Sequence, residues 1–324
     1  MSDLRPDTAA SPAIEHASAL TIGELLRTRT KVTPEAVALT EGDRRVSYAQ
    51  FNDRVNRLAN ALSAQGLIRG ERLAVLSENR IEYMECVYAA AKLGAIVCAL
   101  NWRLVPGELQ HCIGLTAPHL VFASARHANL LQRQDLGCVK SVLRFDGEYE
   151  ALVAGSPSHE PEIAARPEDG LLILYTSGTT GLPKGALISH RAEIARMFVN
   201  AVEMGLDTGT TFVGWLPMYH MGCMDQAIAS LSVGATVAVV DGFDVERIVT
   251  LVETERLWWL ALLPGTIDRF CEAMKRRNAR PRHVHLVGAM ADLVPRRQIA
   301  ERTRLLGAPY ANTCGSTETG IPPA

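Results

Sequence analysis

The chain has 324 residues, of which 48% are apolar and 21% are charged, a composition typical of a folded globular protein too long for one small core. Its formal net charge of -2 provides no global field for nucleic acid or an anionic membrane surface, and no apolar run approaches the length of a membrane span. Seven cysteines lie without C-x-x-C spacing, which favours reduced thiols in a cytoplasmic protein over disulfides or zinc.

The first half of the chain alternates apolar strands with amphipathic helices. Residues 1–18 contain prolines and charges but no apolar h-region, so we expect a short disordered lead and no secretory signal. Ser47 and Gln50 have the spacing of a capping box that starts a helix. A buried strand over 73–76 and a helix over 81–93 follow. We expect residues 19–168 to form a first α/β lobe.

Residues 156–170 form a charged segment with three prolines. This composition predicts a linker, or a loop that crosses the surface, before the alternation of strands and helices resumes. The predicted strands cover residues 171–175, 211–215, 235–240, 257–263, 284–287 and 309–313, and the predicted helices cover residues 190–204, 225–231, 245–255, 266–277 and 293–306. Strands that alternate with helices favour mostly parallel sheets covered on both faces. The predicted fold class is therefore α/β, with a second lobe over residues 169–324.

A polar loop follows the apolar run 171–174 and reads YTSGTTGLPKG over residues 175–185. Its glycines let the backbone approach a ligand closely, its hydroxyls and N–H groups can bind an anion, and Lys184 adds a mobile positive charge. This composition suits nucleotide phosphates, although such a cluster is more often an ordinary surface loop. The spacing matches neither G-x-x-x-x-G-K-[ST] nor G-x-G-x-x-G.

The whole string resembles the phosphate-binding signature of the adenylate-forming superfamily, which contains acyl-CoA synthetases, peptide-synthetase adenylation domains and luciferases. The chain is most similar to an acyl-CoA synthetase for a fatty or aryl acid, which implies the N-terminal domain of that fold with two α/β lobes. The residues that the resemblance assigns to ATP in this loop are Thr176, Ser177, Gly178, Thr179, Thr180, Gly181 and Lys184. Lys184 is also assigned a catalytic role.

A second segment, NTCGSTETG, resembles the family motif of an aromatic residue followed by G-x-T-E. Taken alone, such a segment is more often a polar turn before a helix. The resemblance assigns Gly315, Ser316 and Thr317 to the nucleotide, with Thr317 also catalytic. Glu318 is assigned to catalysis and to Mg²⁺, which prefers a carboxylate together with phosphate oxygens and water. Cys314 stands where the family has a ring that stacks on adenine, so we expect weaker or altered nucleotide binding.

A third segment, residues 214–222, resembles the family block L-P-x-x-H-x-x-G and implies a catalytic role for His220 beside the acyl carboxylate. A lone histidine in an apolar run is more often structural, but it can also donate to a carboxylate oxygen. Gly288 and Ala289 resemble the turn that flanks adenine and the acyl pocket. At about the position of His220, peptide-synthetase domains have an aspartate that binds the ammonium group of the amino acid. This chain has no aspartate there, so an amino-acid adenylation domain is the less favoured alternative.

The resemblance implies a two-step reaction. ATP, with Mg²⁺, and a carboxylic acid give an acyl-adenylate and pyrophosphate, and the thiol of coenzyme A or of a carrier protein then takes the acyl group. Such a displacement depends mostly on positioning and charge neutralisation. We expect no nucleic-acid partner, and a homodimer is one of the open oligomeric states.

The family's ribose-binding aspartate and the lysine of its C-terminal domain lie downstream of the T-E motif. This sequence ends at Ala324, and its last lysine is Lys275. One interpretation is the N-terminal portion of an acyl-CoA synthetase, without the C-terminal lysine-bearing domain and with little or no adenylation by the chain alone. The other is a nucleotide- or acyl-binding module, or a pseudo-enzyme, that needs a partner to complete it.

Overall fold

The computed structural model describes residues 19–177 and 181–321. Its helices are α1 (Ile22–Val32), α2 (Tyr48–Ala64), α3 (Ile81–Leu93), α4 (Pro106–Thr116), α5 (Glu148–Ala154), α6 (His190–Val202), α7 (Met221–Val233), α8 (Val245–Thr254), α9 (Ile267–Arg277) and α10 (Arg296–Leu306). Its strands are β1 (Val37–Glu41), β2 (Arg44–Ser47), β3 (Arg72–Leu76), β4 (Ile96–Ala99), β5 (Leu120–Ala123), β6 (Ser141–Arg144), β7 (Gly170–Thr176), β8 (Lys184–Ser189), β9 (Thr211–Gly214), β10 (Thr236–Val239), β11 (Arg256–Ala261), β12 (His283–Gly288) and β13 (Tyr310–Ala311).

The strands form two sheets. The first has the order β6-β5-β3-β4-β7-β8, and the second has the order β13-β12-β11-β9-β10-β1-β2. Neighbouring strands are parallel except in the pairs β1–β2 and β7–β8, which are antiparallel. The predicted α/β class with mostly parallel sheets is therefore confirmed.

The sheets do not follow the boundary predicted between residues 168 and 169. Strand β1 pairs with β10, with Leu39 opposite Val237, so an early strand belongs to the later sheet. Strand β7 pairs with β4, with Ile173 opposite Cys98, so the strand before the glycine-rich loop belongs to the earlier sheet. Strand order along the chain does not determine which sheet a strand joins, so the two sheets do not coincide with the two predicted segments, and the division into lobes stays a prediction.

The helix ends and the core follow from local sequence. The Ser47 hydroxyl accepts the N–H of Gln50, whose side chain accepts the N–H of Ser47, so the predicted capping box is present. Helix α3 ends at Gly94 with a φ of 69°, a conformation that glycine adopts without steric strain. All 13 residues of α3 are buried, and α3 contacts β1 of one sheet and β4 of the other. Helix α3 therefore packs against both sheets in the core.

Two predicted elements are shorter in the structure. The predicted helix over 293–306 begins only at Arg296, after Pro295 in an extended conformation. The predicted strand over 309–313 is reduced to β13, an edge strand paired only with β12. Conversely, the polar loop ends in an unpredicted strand, since Lys184 begins β8. Among residues 19–177 and 181–321, no helix is both long and apolar enough to cross a bilayer.

Candidate active site

Two neighbouring cavities lie beyond the carboxyl ends of the parallel strands, where open α/β sheets bind ligands. The larger one, about 510 Å³, follows β9, β11 and β12 and is called here the His220 cavity. The smaller one, about 170 Å³, follows β7 and is called the loop cavity. Asn101, just beyond β4, borders both cavities. The two cavities are therefore adjacent, with Asn101 between them.

His220 stands at the N-cap of α7 on the edge of its cavity. Its Nδ1 accepts the backbone N–H of Gly222 at 3.0 Å. A ring nitrogen that accepts a hydrogen bond carries no proton, so this bond favours the neutral ring with a proton on Nε2. Desolvation lowers the pKa of His220, which favours the same form at neutral pH. The side chain can thus donate one hydrogen bond to a ligand in the cavity.

Trp259 forms an apolar wall of the His220 cavity and is only 6% exposed. Its indole lies over Gly288 on the neighbouring strand, where an added Cβ would overlap the ring. Close packing therefore requires a glycine at position 288. Ala289 and Met290 continue the wall. Of the two residues predicted from the family turn, Ala289 therefore lines the cavity, and Gly288 lies behind its wall, against the Trp259 indole.

The loop that leads to His220 is held by Asn79, a buried residue after β3 in the other sheet. The Asn79 Nδ2 lies 3.0, 2.7 and 3.1 Å from the carbonyl oxygens of Gly214, Leu216 and Val240. Its Oδ1 accepts the N–H of Met218 at 2.9 Å. These contacts satisfy the buried backbone groups of a loop that has no regular structure. Asn79 therefore ties the carboxyl ends of the two sheets together.

The loop cavity is lined by the predicted residues Thr176, Ser177 and Gly181. Thr176 pairs with Lys184 in the antiparallel ladder of β7 and β8, so the glycine-rich segment is a hairpin connection. Gly181 has a φ of 95°, which disfavours any side chain there. The predicted residues Gly178, Thr179 and Thr180 lie outside the described part of the chain.

The T-E segment forms a closed turn. Ser316 and Gly320 exchange backbone hydrogen bonds of 3.2 and 2.8 Å, and the Ser316 hydroxyl accepts the N–H of Thr319 at 3.2 Å. Glu318 lies exposed within this turn. Gly315 comes close to the Gly320 carbonyl, which an added Cβ would approach to 2.7 Å. Both glycines therefore allow the turn to close tightly behind Glu318.

The structure brings together only part of the predicted site. His220, Ala289 and Thr313, the residue just before Cys314, border one cavity. Neither Lys184 nor Glu318 borders either cavity. The side chain of Lys184 is exposed and instead lines a groove together with Arg72 and His111.

Sequence reasoning missed several residues that line or support the cavities. Asn101 and Arg103 border the His220 cavity, and the Arg103 guanidinium stacks on Trp102 at 4.8 Å. Asn79 and Trp259 were missed as well. The usable signal for Asn79 was position, because this polar residue follows the predicted strand over 73–76, as Asn101 follows β4.

A metal site would depend on few protein groups. Within the described ranges, no group of three or more histidine, cysteine, aspartate or glutamate side chains is placed to hold an ion. Mg²⁺ takes one or two carboxylates and completes its shell with phosphate oxygens and water, so the exposed carboxylate of Glu318 is compatible with the predicted role, which stays a prediction.

Known proteins share both the sequence and the fold of the chain. A family model described as AMP-binding enzyme matches residues 26–322. Indoleacetate–CoA ligase of Aromatoleum aromaticum is 32% identical over 310 residues, which are 92% of this chain and 60% of that protein. Long-chain-fatty-acid–CoA ligase FadD13 of Mycobacterium tuberculosis is 32% identical over 254 residues, which are 76% of this chain and 50% of that protein.

The fold is similar to that of the inhibitor-bound N-terminal domain of FACL13 from Mycobacterium tuberculosis. The TM-score is 0.85 at 25% identity, covering 92% of this chain and 76% of that one. The chain spans 60% or less of the length of the two curated relatives. Because the family model covers nearly the whole sequence and the fold agrees, the chain belongs to the family of AMP-binding enzymes.

Proposed function

We propose that the chain provides the acid- and nucleotide-binding part of an ATP-dependent acid–thiol ligase. In this reaction a carboxylate oxygen attacks the α-phosphorus of ATP, pyrophosphate leaves, and an acyl-adenylate forms. A thiol, that of coenzyme A or of a carrier protein, then attacks the acyl carbon and AMP leaves. The observation that carries the proposal is the adjacency of the His220 cavity and the loop cavity across Asn101.

The His220 cavity suits a simple carboxylic acid. Its Trp259 wall is apolar, and the neutral His220 offers a donor for a carboxylate oxygen. An ammonium group would find no carboxylate among the described residues that line this cavity. The named substrates of the relatives support this choice, because indoleacetate is an aryl acid and FadD13 is a long-chain-fatty-acid ligase.

The loop cavity suits the phosphates of ATP. The hydroxyls of Thr176 and Ser177 offer donors, and Gly181 keeps the backbone free of side chains. Lys184 and Thr317 are further candidates for phosphate contacts, beside Gly178, Thr179 and Thr180 outside the described residues, and Glu318 is the candidate ligand of Mg²⁺. The metal would neutralise phosphate charge when it is bound. Precise placement of the acid beside these phosphates is what the protein contributes to the rate.

Calorimetric binding tests the proposal without relying on turnover. The ligands are ATP with Mg²⁺ and non-hydrolysable acyl-adenylate analogues with alkyl and aryl tails. Both classes should bind, and His220→Ala should weaken the analogues about fivefold, the value of one hydrogen bond to a neutral acyl carbonyl oxygen. His159→Ala, at an exposed histidine in the segment 156–170, is the control and should change nothing.

Binding decides the proposal. A wild-type protein that binds neither ATP nor the analogues contradicts it. Binding of both ligands without pyrophosphate exchange is the result expected under both interpretations, the N-terminal portion of a ligase and the binding module, because each needs a further part for turnover.

A further inference from the structure

A buried charge cluster lies between α6 and α7, away from the two cavities described above. It consists of Glu193 and Arg196 on α6 and Asp225 on α7, with exposures of 1%, 6% and 1%. One guanidinium nitrogen of Arg196 donates to Asp225 at 2.8 Å and to Glu193 at 3.3 Å. Charged side chains this deeply buried are rare without a specific partner or role.

The second guanidinium nitrogen of Arg196 leaves the cluster and reaches the T-E turn. It donates to the backbone carbonyl of Thr317 at 2.9 Å. Gly320 has a φ of 70°, and an added Cβ would lie 2.7 Å from the Arg196 Nε. The turn that contains Thr317 and Glu318 is therefore seated directly on the Arg196 guanidinium.

The same cluster connects the other two candidate site segments. Helix α6 follows β8 without a break, so Arg196 is joined to the far end of the glycine-rich hairpin at Lys184. Helix α7 begins directly after its N-cap His220, so Asp225 lies little more than one turn from that histidine. The guanidinium thus contacts α6, which follows the glycine-rich hairpin, α7, which follows His220, and the T-E turn.

The charge balance of the cluster is consistent with an Arg196–Asp225 ion pair at neutral pH. Two buried carboxylates face one guanidinium, and burial raises the pKa of both acids, that of Asp225 to about 6. The neighbouring Asp225 raises the pKa of Glu193 further, so Glu193 holds the proton at neutral pH. Glu193 Oε2 and Asp225 Oδ1 have no hydrogen-bond partner among the described residues. The cluster is then neutral overall, which a buried site requires.

We infer that Arg196 is a positioning residue: paired with Asp225, it fixes the Thr317–Glu318 turn relative to His220 and to the phosphate hairpin. The inference rests on the proposed function for its consequence, which is the placement of Glu318 for metal-bound nucleotide. Arginine suits this role because its planar fork donates in two directions at once, whereas lysine is a point charge.

The test uses Arg196→Lys, which keeps a positive charge beside Asp225 but loses the second planar donor. Hydrogen exchange is followed in peptides covering residues 312–321 and residues 221–233. We expect exchange in the turn to accelerate about tenfold or more, the equivalent of one charge-assisted hydrogen bond, while α7 stays unchanged. The control is Arg191→Lys on the same helix, since Arg191 forms an ion pair with Glu168 at the surface.

A ligand measurement accompanies the exchange experiment. Calorimetric binding of ATP is compared with Mg²⁺ and with a chelator present. Arg196→Lys should remove most of the gain in affinity that Mg²⁺ gives the wild type, a loss of about tenfold, and should lower the metal-free affinity by less, through the displaced Thr317 alone. Should Arg196→Lys fail to fold, the paired variant Arg196→Met with Asp225→Asn removes both charges together and is measured in the same way.

Unchanged exchange in residues 312–321 overturns the inference, and so does an equal acceleration in α7, because that indicates general loosening. The exchange result needs no ligand. A wild type that does not bind ATP would therefore contradict the proposed function while leaving the role of Arg196 in holding the turn to be decided by exchange alone.

Discussion

The two halves of the candidate site are built differently. The His220 cavity is walled by buried strand ends, with Trp259 and Asn79 almost wholly inside the protein. The nucleotide half presents Ser177, Gly181 and Glu318 to solvent on a hairpin and a turn. Dense packing fixes the first half through many contacts, whereas a small number of hydrogen bonds at its ends fix the second. Substitutions in the two halves should therefore differ in whether they affect stability or binding.

Asn79→Asp should have the largest effect, on stability. The new carboxylate loses the N–H donors that face three carbonyl oxygens, and it places a buried negative charge among them. We expect the free energy of unfolding to fall by about 3 kcal/mol or more, the usual result of leaving buried groups without partners. Urea denaturation at pH 7 measures this change, and acid binding at the His220 cavity should be lost in parallel.

The matched control is Asn60→Asp. Asn60 also donates to two backbone carbonyls, those of Pro157 and His159, but near the surface. Water can replace these bonds, so a change below about 1 kcal/mol is expected. Equal losses of unfolding free energy in both variants would show that the cavity half is no more tightly fixed than the surface loop that Asn60 contacts.

His190→Asn should reduce the loss of stability at acid pH, because His190 is a buried titratable residue at the start of α6. His190 begins α6, is fully buried, and accepts the N–H of Ile22 on Nδ1 at 3.2 Å. Desolvation lowers the pKa of His190 to about 4, opposed by the nearby Asp169. The unfolded chain binds the proton at its ordinary pKa, so the native state loses stability as the pH falls from about 6.5 to about 4, by up to about 3 kcal/mol.

Asparagine at position 190 can keep an acceptor near Nδ1 without titrating. Denaturation at pH 7, 5.5 and 4.5 should therefore give a smaller acid-induced loss in His190→Asn than in the wild type. The raised pKa of Asp225 contributes a slope of opposite sign, but it is common to both proteins and cancels in the difference. Identical acid profiles would contradict the prediction.

The sequence predicted the elements well where periodicity and capping agree. Helix α3 has the predicted bounds, and the α/β class follows from the alternation of elements. The sheet to which β1 and β7 belong was not predictable, because pairing depends on contacts between distant segments. The motif residues of the candidate site were predicted by resemblance and stay predictions. Asn79 and Arg196 were not predicted, because they donate to backbone carbonyls far along the chain, and such contacts leave no local sequence pattern.

Gly288→Ala should have a moderate effect, mainly on acid binding. The added methyl group would overlap the Trp259 indole, which has to shift from its place against β12. Overpacking of this kind costs about 1–3 kcal/mol, and displacement of the indole narrows the His220 cavity. Binding of acyl-adenylate analogues should weaken, more for bulky tails than for small ones. Gly114→Ala, in α4 with open space around it, is the control and should be neutral or slightly stabilising.

Cys314→Tyr should have the smallest effect, and it should be a gain. Cys314 is exposed beside the T-E turn, where the family resemblance implies an aromatic ring against adenine. Stacking on a base contributes about 1 kcal/mol or somewhat more, so affinity for ATP should rise about fivefold while the free energy of unfolding stays the same. Cys138→Tyr adds the same ring at another exposed cysteine and should leave ATP affinity unchanged. A gain in both variants would point to nonspecific stacking, and no gain at position 314 would mean that this side of the turn does not face the base. Either result would contradict the contrast drawn between the two halves, in which the acid half is fixed by packing and the ATP affinity of the nucleotide half can be raised by one exposed side chain.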